Sequence, residues 1–231
     1  MESAQRVIHR SGLFSRLLVV LVGVAVLLLG YSLFRENLSA RLTRDWPWKL
    51  KLLDIQSAVT AVLGTGGAAL ARAQYARTVR PAIGYGGRVV ANTAPNERLA
   101  WMCKLLNGGQ EVAITADTSY WIEYTSAARA AGAVDSSEWM SQPEATAAIA
   151  SRELAERQDF QLNLVGRGYP IPGQGQGQLF LGWFTEKAMR ELESVYVRVR
   201  VVDRVGDVHE RVVNLLKGAD RSPTHPDASP F

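Results

Sequence analysis

Residues 17–34 read LLVVLVGVAVLLLGYSLF, a run with no charge whose only polar side chains are Tyr31 and Ser32. As a helix rising about 1.5 Å per residue, it would reach roughly 27 Å, close to the hydrocarbon thickness of a bilayer. Two other readings compete. A core helix of a soluble domain is usually shorter in its apolar run. A cleaved secretory signal has an apolar region of about 7–15 residues that ends in small side chains. Here the run is longer and closes on Phe34-Arg35-Glu36. The sequence therefore predicts a retained transmembrane helix over 17–34, behind a short, solvated basic leader at 1–16.

Outward from that run, charge is unevenly placed. Twelve Lys or Arg lie in residues 1–88, against the acids Glu2, Glu36, Asp45 and Asp54. The excess surrounds the apolar run, and the rest of the chain is net acidic. A basic belt facing anionic lipid accounts for the pI of about 9.4, so no nucleic-acid partner is expected. After the first helix, Trp46 and Trp48 sit beside Lys49 and Lys51, the amphipathic pairing that a membrane interface selects. Residues 55–71, IQSAVTAVLGTGGAALA, are uncharged but rich in small side chains. Helices that approach closely in lipid use such residues, so 35–79 is read as a juxtamembrane region with a possible second membrane helix at 55–71. An interfacial or soluble helix stays open as an alternative there. Gly64-Thr65-Gly66-Gly67 lacks the Gly-Lys-Ser/Thr of a phosphate loop.

At Arg80-Pro81 the helical pattern stops, since the residue before proline avoids helical dihedrals. From there the period is two. Runs at 82–90, 99–106, 110–115, 119–125, 160–165, 179–184, 195–201 and 208–215 read as strands, with Asn107-Gly108-Gly109 and 203–207 as turns. The clearest is Val195, Val197, Val199 and Val201 alternating with Tyr196, Arg198 and Arg200. A helical insert lies between, with Ser141, Pro143 and Glu144 resembling a capped start. The expected fold is mainly β: an antiparallel β-sandwich-like domain over 80–217 with a helical insert, the alternative being α+β. The Pro/Ser/Asp-rich tail at 218–231 is expected to be disordered.

No motif names a reaction. His9, His209 and His225 fall in the leader, a strand and the tail, without a second ligand at metal spacing. Asp203, Asp207, His209 and Glu210 read as a solvated hairpin and not as a cation site. The lone Cys103 sits in an apolar strand, where a thiol is usually a small buried hydrophobe; it also excludes an internal disulfide. Trp101, Tyr120, Trp121 and Tyr124 could line a groove, although at strand spacing such aromatics are more often core. No catalytic, cofactor-binding or metal-ligating residue is assigned, and no cofactor is expected.

Arg80-Pro81, WMCKLLNGGQEVAI at 101–114 and VRVRVVDRVGDVHERVV at 197–213 together resemble a loose class of uncharacterised bacterial membrane proteins, in which an N-terminal membrane anchor carries an immunoglobulin-like β-domain. The resemblance implies a fold and brings no activity. The expected role is a membrane-anchored interaction or structural module with a protein partner in the membrane. The alternatives are a ligand sensor or enzyme using the aromatic groove, or an assembly subunit of conjugation or secretion machinery. Lys and Arg counts near the spans favour the cytoplasm for the β-domain over the outside placement of an ordinary signal anchor: with one span the leader holds three and the following segment five, and with two the leader with residues 72–88 holds seven and the intervening segment five.

Overall fold

The computed structural model describes residues 2–38 and 53–227. The expected interfacial cluster of Trp46, Trp48, Lys49 and Lys51 lies outside the described residues. The chain divides into two compact units: Met1–Arg10 with Val79–Phe231, and Ser11–Thr78.

The first unit is mainly β. In chain order it holds β1 (Ser3–His9), β2 (Ile83–Val90), β3 (Ala100–Asn107), β4 (Ala113–Tyr124), β5 (Phe160–Leu162), β6 (Pro170–Ile171), β7 (Gln178–Thr185), β8 (Leu192–Val202) and β9 (Val208–Asn214). They form two sheets, β1-β9-β8-β4-β6 and β2-β3-β7-β5, in which every strand pair is antiparallel. The valines of β8 that alternate in sequence are all buried, as is Tyr196 between them. Val195, Val197, Val199 and Val201 join Tyr120 and Ile122 of the same sheet, and Leu105, Phe160 and Phe184 of the other, in one apolar cluster. Each such side chain contributes about 1.5–3 kcal/mol of transfer free energy. Arg198 and Arg200 point the other way and stay partly exposed.

Local chemistry explains the connections. Asn107 is fully buried and all its side-chain bonds are made. Its Oδ1 accepts from the N–H of Ala82 and Gly109, and its Nδ2 donates to the carbonyls of Glu111 and Ile171. One amide thus ties the entry to β2, the turn after β3 and strand β6. Gly87 is dictated by packing: a Cβ there would lie 2.2 Å from the Trp101 ring. The runs at 110–115 and 119–125 are one strand, β4. A register shift between Thr115 and Asp117 brings both Ala113 and Tyr120 to the inner face, which a strict period of two hides. The insert holds two short helices, α3 (Ser126–Ala130) and α4 (Gln142–Ala150), and a third, α5 (Glu186–Glu191), precedes β8. At the start of α4, Glu144 accepts from the Ser141 N–H at 2.8 Å.

Two expectations are corrected. Within the supposed leader at 1–16, Ser3–His9 is an edge strand that pairs with β9, placing Arg6 opposite Glu210 and Val7 opposite His209. Within the tail, residues 218–227 are held on the domain. The Arg221 guanidinium donates to the carbonyls of Met189, Leu192 and Glu193. Asp227 takes the Val89 N–H on its carboxylate at 2.8 Å and returns its own N–H to the Val89 carbonyl at 3.0 Å. Backbone pairing and an arginine cap order a composition that would otherwise favour disorder.

Candidate functional site

The second unit holds α1 (Gly12–Asn37) and α2 (Ile55–Thr78), which pack along one another. The Ser32 hydroxyl near the end of α1 donates to the Leu53 carbonyl just before α2, at 3.0 Å. The end of one helix thus meets the start of the other, and the pair is antiparallel.

The seam can be read residue by residue. On α1 the more protected positions Leu18, Val22, Ala25, Leu29 and Ser32 follow at intervals of four and three. On α2 the matching set is Ile55, Ala58, Val62, Thr65, Ala69, Arg72 and Ala76, at intervals of three and four. This is the heptad spacing of helices that interlock side by side. Ala25, Ser32 and Ala58 are the buried members, and their small size permits close approach. The outward surface of α1 is oily, whereas that of α2 mixes apolar with small and polar side chains. Leu17, Val19, Leu27 and Phe34 on α1, and Leu63 and Leu70 on α2, all point outward, with Leu27 at 75% exposure. Among the described residues, Arg16–Asn37 is the one helix long and apolar enough to cross a membrane by length and composition.

In the β-unit the residues considered for chemistry are dispersed. Tyr120, Tyr124 and Trp101 are buried in the core, whereas Trp121 lies on the opposite face of β4, so the four do not form a groove. The face carrying Trp121 holds an aromatic contact that the sequence did not reveal. Trp139, from the segment before α4, lies 6.0 Å from Trp121, and the Arg198 guanidinium stacks 4.7 Å over its ring. Burial lowers the Arg198 pKa below its ordinary value.

Cys103 is fully buried, and burial raises its thiol pKa far above normal. Its Sγ, the Tyr85 hydroxyl and the Trp101 indole all donate to the Leu215 carbonyl, so the thiol is a structural donor. The residues of the β8–β9 hairpin do not converge on one point. Asp203 Oδ1 accepts from the N–H of Val205 and Asp207, and Oδ2 meets His209 Nε2 at 2.8 Å, all as a tie across the turn. Glu210, the next residue along, points to the other face. There it accepts from Arg6 at 2.6 Å and Arg200 at 2.8 Å. Burial alone would raise the Glu210 pKa, but these two guanidinium bonds outweigh it and hold the carboxyl below its usual range. His9 and His225 are exposed at the ends of the unit. Among the described residues, no three His, Cys, Asp or Glu side chains are grouped to hold a metal ion.

A pocket of about 290 Å³ opens between the start of β3 and α5, lined by Arg98, Leu99, Thr185, Lys187 and Arg190. Its cations are matched by acids of the same chain. Arg98 and Lys187 both bond the buried Asp159 at 3.0 Å, and Arg190 pairs with Glu186 at 2.7 Å. Desolvation opposes ionisation of Asp159, yet the Ala155 N–H, Lys187 and Arg98 keep its pKa below normal. The pocket therefore reads as a bracing of α5 against the strands. Neither a protein-family model nor a curated protein matches this chain.

Proposed function

We propose that the chain is a membrane-anchored interaction or structural module. In this reading α1 lies across the bilayer, and the β-unit, its two sheets closed as a sandwich, stands on the cytoplasmic side for a protein partner. The observation that carries the proposal is the exposure of the α1 side chains. A core helix of a soluble protein hides its leucines, whereas α1 turns Leu17, Val19, Leu27 and Phe34 outward on several faces. In water, an apolar surface of that extent marks a membrane or protein contact. The uncharged length over 17–34 favours the membrane.

The cytoplasmic placement is supported by the Lys and Arg count of the segments flanking the helices and by the unpaired Cys103. The interaction role is supported by the internal pairing of the charged groups around the pocket, which leaves no convergent reactive set there. Carbonate extraction of membranes containing the full chain tests the anchor: the protein is expected in the pellet, and release into the supernatant overturns the reading. A reporter fused after Phe231 tests the side. A fluorescent green protein fusion with an inactive phosphatase fusion is the expected result, and active phosphatase reverses the placement.

A further inference from the structure

We propose that α2 crosses the bilayer together with α1, as an antiparallel hairpin, so that the strand preceding α1 and the strands following α2 share one side. This rests on the reading of α1 as a membrane helix and goes beyond it, because α2 does not qualify as a span by its own composition.

β1 precedes α1 in the chain, β2 follows α2, and β1 is hydrogen-bonded to β9 in the same sheet. A single crossing would separate β1 from its partner strand by the width of the membrane. Only an even number of crossings between residues 9 and 83 is compatible with the Arg6–Glu210 and Val7–His209 pairing.

The charge-free lengths of the two helices match. The Ser32–Leu53 bond sets the end of α1 beside the start of α2, and at equal rise along both helices Leu18 then falls within about a turn of Ala69, and Arg16 within about a turn of Arg72. Between those levels α1 is uncharged from 17 to 34 and α2 from 55 to 71. The charges then gather at the two ends: Arg16 with Arg72, and Arg35 and Glu36 with Asp54. Two runs of nearly equal length, bounded by charge at the same levels, are what one slab of hydrocarbon imposes on a helix pair.

The two threonine hydroxyls in the uncharged run of α2 are answered within the helix. Thr60 and Thr65 donate their hydroxyls to the carbonyls of Gln56 and Ala61, at 2.8 and 2.7 Å. Such internal bonds are what a hydrocarbon environment demands of a hydroxyl. Thr65 also lies on the seam side, with Ala58 and Ala69, while Leu63 and Leu70 face outward. The low hydropathy of α2 therefore comes in part from residues that face α1, and in part from the exposed Gln56, Ser57 and Thr60 near its start. The occupant of the outward surface is lipid hydrocarbon.

The test uses the full chain in native membranes and a membrane-impermeant maleimide, before and after permeabilisation. Cysteine is introduced singly as H9C, N37C and H225C, all at exposed positions. The parent, whose own Cys103 is fully buried, sets the background. Positions 9 and 225 are expected to label from one side and position 37 from the other. Labelling of 9 and 225 from opposite sides, with the protein still carbonate-resistant, overturns the hairpin while leaving the α1 anchor standing. Labelling of all three from one side with carbonate-resistant protein overturns the crossing by either helix. The same pattern with release by carbonate overturns the anchor itself.

Discussion

The hairpin and the β-domain are built with opposite insides. In the domain, Tyr120, Phe160, Phe184 and Leu181 are fully buried, while Arg198 and Arg200 stand toward water. In the hairpin, Ala25, Ser32, Ala58 and Thr65 line the contact, while Leu27, Leu63 and Leu70 stand outside. One rule generates both, namely that side chains match the solvent they face. On the membrane reading proposed above, the domain is assembled by water, through apolar burial, and the hairpin by close approach of small residues, since lipid gives no hydrophobic push between helices.

The largest expected effect breaks the comparison at the junction. If β1 belongs to the domain as the sheet pairing shows, removing residues 1–78 strips β9 of its neighbour and leaves Glu210 with one guanidinium. Replacing residues 11–78 with a flexible Gly/Ser linker of about twelve residues keeps both. The linked form should be soluble and melt cooperatively. The form without residues 1–78 should melt at least about 10 °C lower, which is roughly 3–5 kcal/mol for a domain of this size. Equal melting by far-UV dichroism would show that β1 adds nothing, and would remove the connectivity argument for two crossings.

A second substitution separates the two solvents. Leu27 is the most exposed of the described leucines of α1 and lies near the middle of its uncharged run. In water, Leu27→Arg is harmless on an exposed helix face. In hydrocarbon it costs about 2.5–3.5 kcal/mol of insertion free energy. The expected outcome is a carbonate-extractable fraction several-fold above that of the parent, with the melting of the β-domain unchanged. Normal membrane retention would contradict the lipid-facing assignment of that surface.

A smaller effect is expected at the β8–β9 turn. Asp203→Ala removes the acceptor for the N–H groups of Val205 and Asp207 and strands the buried His209 Nε2. The loss should be about 1–3 kcal/mol, the cost of leaving buried groups unpaired. Thermal melting of the linked domain measures it. A neutral result would mean that the turn forms without its carboxylate.

How much of this was legible depended on whether the determining contact was local. The valine alternation at 195–201, the Asn-Gly-Gly turn and the helix start at Ser141 are set by neighbours in sequence, and the structure carries all three. β1 was not legible, because SAQRVIH has a weak alternation and its partner strand lies some 200 positions away. The bulge that joins two apparent runs into β4 was hidden for the same reason, since the shift is fixed by β8. At the candidate site, the apolar run of α1 was plain from composition. The seam of α2 was written at intervals of three and four but masked by its low hydropathy. Trp139 could not be paired with Trp121 and Arg198 from sequence, because a coil segment, with no periodicity to read, brings it there.

The last prediction concerns Glu210, the point at which β1 is ionically tied to the domain. Its carboxyl pKa is held below the ordinary value because the Arg6 and Arg200 bonds outweigh the penalty of burial. A carboxylate whose folded pKa is depressed adds stability above its unfolded value, and loses it as pH falls through the folded one. The contribution is therefore complete at neutral pH and disappears in the window below about 4.5. Its size is modest, on the order of 1 kcal/mol, because the Arg6 partner is largely open to water and screened there. Glu210→Gln in the linked domain should melt slightly below the parent at pH 7. The two melting curves should converge as the pH is taken down to 3, and added salt should narrow the gap at pH 7. A gap that stays constant from pH 7 to pH 3 would assign the loss to packing at position 210, and would leave β1 attached by its backbone ladder and the Gln5 side-chain bonds to Pro81 and Ile83.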